Sequence, residues 1–161
     1  MSADTHENNV DASAESLEPP SWLPAVERFA RLVLERLGIS GWDLSILFCE
    51  DDFIHNLNAT YRGIDAPTDV LSFSQSEGPG VDHPGGGTER PTAAGDIVVS
   101  LDTMYRQAAE YDVPAEEELK RLLIHGILHL AGYDHGEQHD DGEMMGIQEG
   151  LLSQLTEERV F

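Results

Sequence analysis

The segment His125-Gly126-Ile127-Leu128-His129-Leu130-Ala131-Gly132-Tyr133-Asp134-His135 places three imidazoles at offsets of 0, +4 and +10, with a glycine at +7. Residues four apart on a helix share a face, so His125 and His129 can point at one ion. Gly132 is suited to end such a helix, because glycine enters the left-handed cap conformation without a Cβ penalty. The chain then turns back and makes His135 available as a third ligand. Three nitrogen ligands with the fourth position left to water describe a catalytic site for one zinc ion per chain, rather than a closed structural one.

In zinc proteases of the HExxH type a glutamate follows the first histidine and serves as general base. Here that position is Gly126, which has no side chain to carry a proton, so a peptidase of that kind is disfavoured. Water activation stays open to the metal itself, which lowers the pKa of bound water from about 15.7 toward about 7.

The elements that must position these groups are legible from periodicity. Val26, Phe29, Ala30, Val33, Leu34 and Leu37 recur at helical spacing and Gly38 closes the run. Asp43 to Cys49 reads as a strand, Glu50 to Tyr61 as a helix with Phe53, Ile54 and Leu57 on one side, and Thr68 to Phe73 as a second strand. Gln75 to Pro91, rich in glycine and proline, marks an exposed loop. Gly95 to Ser100 follows as a strand, and Ser100 caps a helix to about Tyr111 with Met104, Ala108 and Tyr111 inward. Pro114 and Glu116 to Glu118 open a long helix that delivers His125 and His129 and is apolar nearly all round. A last helix spans about His139 to Leu155. The expected fold is α+β: a small mixed β-sheet packed against several helices, the central one carrying the metal ligands. Residues 1–20, acidic and almost without large apolar side chains, are expected to be a disordered tail, leaving 21–161 as a single domain.

Composition narrows the function classes. The chain has 161 residues, 40% hydrophobic and 25% charged, enough for one real core. No apolar run approaches the ~18 residues of a membrane span, and Met1 to Pro20 lacks the pattern of a secretory signal. A lone cysteine, Cys49, forms no intrachain disulfide, which suits a reducing cytoplasm. There are 31 acidic against 9 basic residues, a net of −22. That balance serves solubility or a salty cytoplasm and is not the footprint of a general nucleic-acid binder, so any RNA must be met by a local patch.

Arg62 is the candidate for that patch. It lies in Tyr61-Arg62-Gly63-Ile64-Asp65-Ala66-Pro67-Thr68-Asp69, where a helix passes through a turn into a strand. A guanidinium near a metal suits bidentate phosphate binding, against the plainer reading of an ion pair with Asp65 or Asp69. Thr68, Asp69 and Ser72 join it as candidate substrate-binding residues, although Asp69 and Ser72 are equally suited to bracing the turn. Asp134 is either an outer partner that holds a ligand histidine or a turn residue. His6, His55, His83 and His139 carry no such pattern and read as inert.

HGILHLAGYDH, together with YRGIDAPTDVLSF and GDIVVS, resembles the YbeY family of bacterial endoribonucleases from about Trp22 to Leu155. The resemblance implies a single-strand-specific, metal-dependent endoribonuclease that matures the 3′ end of small-subunit ribosomal RNA and acts in ribosome quality control. It implies zinc on His125, His129 and His135, with Arg62 and His125 serving catalysis. It implies ribosomal RNA and the small ribosomal subunit as partners, with ribosomal proteins and an assembly GTPase beside them, and neither DNA nor membrane. The acidic tail, the long glycine-rich loop and the net charge depart from the family pattern without touching the motif residues. Two other readings stay open: a zinc hydrolase of a non-RNA substrate, with Asp69, Asp96 or Asp134 at the metal water, and a non-catalytic assembly factor with a structural metal.

Overall fold

The structure, a computed structural model, describes residues 7–74, 95–133 and 141–161. In chain order its elements are β1 (Asn9–Ala14), α1 (Leu23–Arg36), β2 (Asp43–Cys49), α2 (Asp51–Arg62), β3 (Val70–Ser74), β4 (Gly95–Ser100), α3 (Leu101–Tyr111), α4 (Ala115–Leu130) and α5 (Asp141–Gln154). The four strands form one sheet in the order β1-β2-β4-β3, with β1, β2 and β4 parallel and β3 antiparallel to β4. The fold is α+β.

Alternation along the strands divides the apolar residues between two faces. Leu44, Ile46, Phe48, Ile97 and Val99 meet Val26, Phe29, Val33, Leu34, Met104, Leu119, Leu123, Ile124, Ile127 and Leu128 in the main core. Cys49, Leu71, Phe73 and Val98 face the other way and pack on Ile54, Phe53 and Leu57 of α2. Burial pushes the Cys49 thiol up to about 12, as befits a core residue rather than a nucleophile. Helix α4 is buried from Glu118 through Leu128, apart from half-buried Arg121 and His125, and is the central helix of its layer.

Two expectations change. The reading of residues 1–20 as a disordered tail fails at Asn9–Ala14, which form the parallel edge strand β1. Its backbone supplies what its side chains lack: Asn9 N–H donates to Trp42 O at 2.8 Å and Glu15 N–H to Phe48 O at 2.8 Å. Val10, Ala12 and Ala14 alternate toward the core, but only Val10 is buried and the alanines are small, so the alternation is a weak signal. Tyr111 is not inward but 59% exposed, because α3 ends there and its buried residues are Thr103, Met104 and Ala108. The Gln75–Pro91 loop and His6, His83, Asp134, His135 and His139 lie outside the described residues.

The N-termini of α2 and α3 cap each other. Ser100 Oγ accepts from Thr103 N–H at 3.2 Å and donates to Asp51 Oδ1 at 2.7 Å; Thr103 Oγ1 donates to the same oxygen at 2.7 Å. Asp51 Oδ2 accepts from Arg106 at 3.0 Å. Burial alone would raise the Asp51 carboxyl, but the bonds from Ser100, Thr103 and Arg106 outweigh it and hold the group below its ordinary range. A depressed folded-state pKa gives stability that is present above about pH 4 and lost as pH falls through the folded value. Asp51→Asn is therefore expected to lower stability by about 1.5–3 kcal/mol near neutrality. Urea midpoints measured against pH should show the two proteins converging in acid.

The only lysine, Lys120, is 4% exposed. Its ammonium donates to Leu155 O at 3.2 Å and Thr156 O at 3.1 Å, capping the end of α5.

Candidate active site

Helix α4 carries His125 half-buried and His129, one turn later, exposed. It ends at Leu130, and Gly132 takes φ +99°, the left-handed turn that the sequence pattern required. His135 falls outside the described residues, so two of the three expected ligands are placed. Among the described residues no group of three or more His, Cys, Asp or Glu side chains is arranged to hold a metal ion.

Gly126 sits where α4 presses on the sheet. A Cβ built there would stand 3.0–3.2 Å from three side-chain atoms of Ile97 on β4. The position that holds glutamate in HExxH sites thus faces the sheet, and a side chain there requires Ile97 to give way.

The His125 ring is held from α5. Its Nδ1 lies 3.0 Å from Gln148 Oε1, and Gln148 is 3% exposed. The Gln148 amide nitrogen donates to Glu149 Oε2 at 3.2 Å, and Arg121 Nε donates to that carboxylate at 3.0 Å. The Arg121 hydrogen bond holds the Glu149 carboxyl below its usual range. Arg121 also bonds Glu117 at 3.0 Å and Glu118 at 3.1 Å. Burial pushes the Glu118 carboxyl upward despite that partner.

Arg62, the last residue of α2, lies across the outer edge of the sheet. Its guanidinium stands 4.7 Å over the Phe73 ring, and Nη2 donates to Ser72 O at 2.8 Å. Asp65, one partner suggested by the sequence, instead meets His55 at 2.8 Å. Asn58, 3% exposed, donates to Ala66 O at 2.9 Å and so fixes the loop that follows Arg62.

Ser72 connects the two halves of the site. While its carbonyl takes the Arg62 bond, its hydroxyl faces the other way and donates to Gly126 O at 3.4 Å, beside His125. Thr68 and Asp69 brace the entry to β3: Asp69 Oδ1 accepts from Val70 N–H at 2.7 Å and from Thr68 Oγ1 at 3.4 Å, and Asp69 O accepts from Ser100 N–H at 3.0 Å. With the Gln107 amide oriented to satisfy both of its ends, its nitrogen reaches Asp69 Oδ2 at 3.1 Å. Asp96 shares a sheet face with Val98, opposite Ile97 and α4, and burial pushes its carboxyl upward. Neither aspartate is built to serve as a base beside His125.

Gln148 and Asn58 escaped the sequence reading. Gln148 had a signal, since it interrupts the helical stripe of Met144, Leu151, Leu152 and Leu155 with a polar residue at a buried position. Asn58 had none beyond a polar residue inside an amphipathic helix.

The chain is an α+β domain that carries a histidine pair one turn apart on a central helix, with an arginine over the neighbouring strand edge. The family model described as Endoribonuclease YbeY matches residues 8–156. The Endoribonuclease YbeY of Treponema pallidum is 47% identical over 147 residues, covering 91% of this chain and 89% of that protein. That of Treponema denticola is 46% identical over 155 residues, covering 96% and 97%. The solution structure of TM1509 from Thermotoga maritima shares the fold, with a TM-score of 0.61 at 24% identity, covering 91% of this chain and 88% of that one. The chain belongs to the YbeY family of endoribonucleases.

Proposed function

We propose that this endoribonuclease cuts single-stranded RNA in maturing the 3′ end of small-subunit ribosomal RNA, using one zinc ion held by His125, His129 and His135. The observation that carries the reading is the Ser72 bridge, which ties the Arg62 guanidinium to the peptide beside His125 through bonds of 2.8 and 3.4 Å. The donor chemistry fits zinc: two imidazoles one helical turn apart, the first with Nδ1 already engaged so that Nε2 faces a ligand role. When bound, zinc supplies Lewis-acid stabilisation of charge developing on a phosphate oxygen.

The chain's own residues do the rest. Arg62, stacked on Phe73 and bonded to Ser72 O, carries the planar guanidinium suited to a phosphate. Gln148 orients His125. In a chain of net −22 four of the other described cations are engaged by groups of the fold: Arg106 by Asp51, Arg121 by three glutamates, Arg159 by Glu116 and Lys120 by the end of α5. Salt should act on phosphate contact in two opposed ways. It screens the overall repulsion of a polyanion and weakens each phosphate contact. The same reading makes the small ribosomal subunit the partner, with ribosomal proteins and an assembly GTPase beside it, in the cytoplasm. Among the described residues no helix is long and apolar enough to cross a membrane.

The test is cleavage of a small-subunit rRNA 3′-end precursor by zinc-loaded protein, from low to molar salt, beside His125→Ala and Arg62→Lys. Arg62→Lys keeps a cation over Phe73 but loses the fork, and should cut about 10- to 100-fold more slowly, the worth of one charge-assisted hydrogen bond of about 1.5–3 kcal/mol. Its melting temperature should be unchanged. Absence of cleavage at every salt by folded, zinc-loaded protein would refute the reading.

A further inference from the structure

We propose that Gln148 is a positioning residue: it locks the His125 imidazole in the tautomer that carries its proton on Nδ1, so that Nε2 presents its lone pair to the metal. The inference rests on the reading of His125 as a ligand but is carried by its own geometry. An amide oxygen only accepts, and Gln148 Oε1 lies 3.0 Å from His125 Nδ1. In the neutral ring the hydrogen must therefore sit on Nδ1.

The orientation of the amide is dictated by its other end. Gln148 Nε2 faces Glu149 Oε2 at 3.2 Å. Turning the amide over would set its oxygen against that carboxylate and its NH₂ group against the imidazole. Glu149 is itself fixed by Arg121, with Nε at 3.0 Å and Nη2 at 3.4 Å. Arg121 stands one helical turn before His125 on α4, so the chain Arg121–Glu149–Gln148–His125 leaves α4, crosses α5 and returns to α4. At 3% exposure Gln148 has little water to offer a competing partner. Outer partners of this kind fix the tautomer of a ligand histidine and raise its basicity.

Two readouts test this, one without metal. In zinc-free protein labelled with ¹⁵N-histidine, long-range ¹H–¹⁵N correlation should show a protonated Nδ1 and an unprotonated Nε2 for His125, and Gln148→Leu should lose that bias. In chelator competition with zinc chloride, Gln148→Leu should bind about 10- to 100-fold more weakly, and Gln148→Glu, which accepts the same hydrogen, should return to within about threefold of the parent. A proton on Nε2 in the parent protein overturns the proposal, as does parental zinc affinity in folded Gln148→Leu. If Gln148→Leu fails to fold, the parent spectrum and the Gln148→Glu affinity still decide. A parent that shows the Nδ1–H tautomer but binds no zinc would refute the metal reading and leave the tautomer assignment standing.

Discussion

His129→Ala should lose about three orders of magnitude in RNA cleavage, the several kcal/mol that a metal's charge stabilisation is worth in the transition state. Its melting temperature should stay within a few degrees of the parent. His129 lies exposed in the last turn of α4, so its removal opens no cavity. His125→Ala should lose as much activity and be less stable as well. It leaves the carbonyl of Gln148 without its donor at a site only 3% exposed, at a cost of about 1–3 kcal/mol. Cleavage assays with and without added zinc, run beside thermal melts, separate the two variants. Cleavage by His129→Ala within tenfold of the parent would sink the assignment of that residue to the metal.

Gly126→Glu, which would write the HExxH sequence into the helix, is expected to destabilise the protein strongly rather than create a peptidase. The first added carbon already meets Ile97 Cδ1, Cγ2 and Cγ1 at 3.0, 3.1 and 3.2 Å. The carboxylate beyond it must then be forced against the sheet and desolvated. Overpacking of about 1–3 kcal/mol plus burial of an unpaired charge exceeds about 4 kcal/mol, a large part of a typical domain's 5–15. Gly126→Ala should be far milder, because gain in helix propensity of up to about 1 kcal/mol offsets part of the contact. Circular dichroism and urea titration check both, and a folded Gly126→Glu with an unchanged midpoint would show that α4 has slack against β4.

What was legible in the sequence follows from where each signal resides. The limits of β2 and β4 and the buried face of α1 came through, because alternation and 3.6-residue periodicity are local properties of Asp43–Cys49, Gly95–Ser100 and Val26–Leu34. The Ser100 cap came through for the same reason, the N–H that its hydroxyl accepts from lying three residues away at Thr103. Strand β1 did not, since its identity lies in hydrogen bonds to residues more than thirty positions on. In the site, the histidine spacing was local and visible. The link between Arg62 and His125 was not, because Ser72 makes it with its carbonyl on one side and its hydroxyl on the other. The choice between an Arg62 ion pair and a strand-edge contact likewise needed the tertiary position of Phe73.

Lys120 has a practical consequence. Its amine is the chain's only lysine side chain and is committed to two carbonyls at the end of α5. Amine-reactive reagents will therefore find it only when the junction of α4 and α5 opens. The rate of acylation at that single position becomes a built-in chemical clock for breathing of the same helix pair that holds His125 and Gln148.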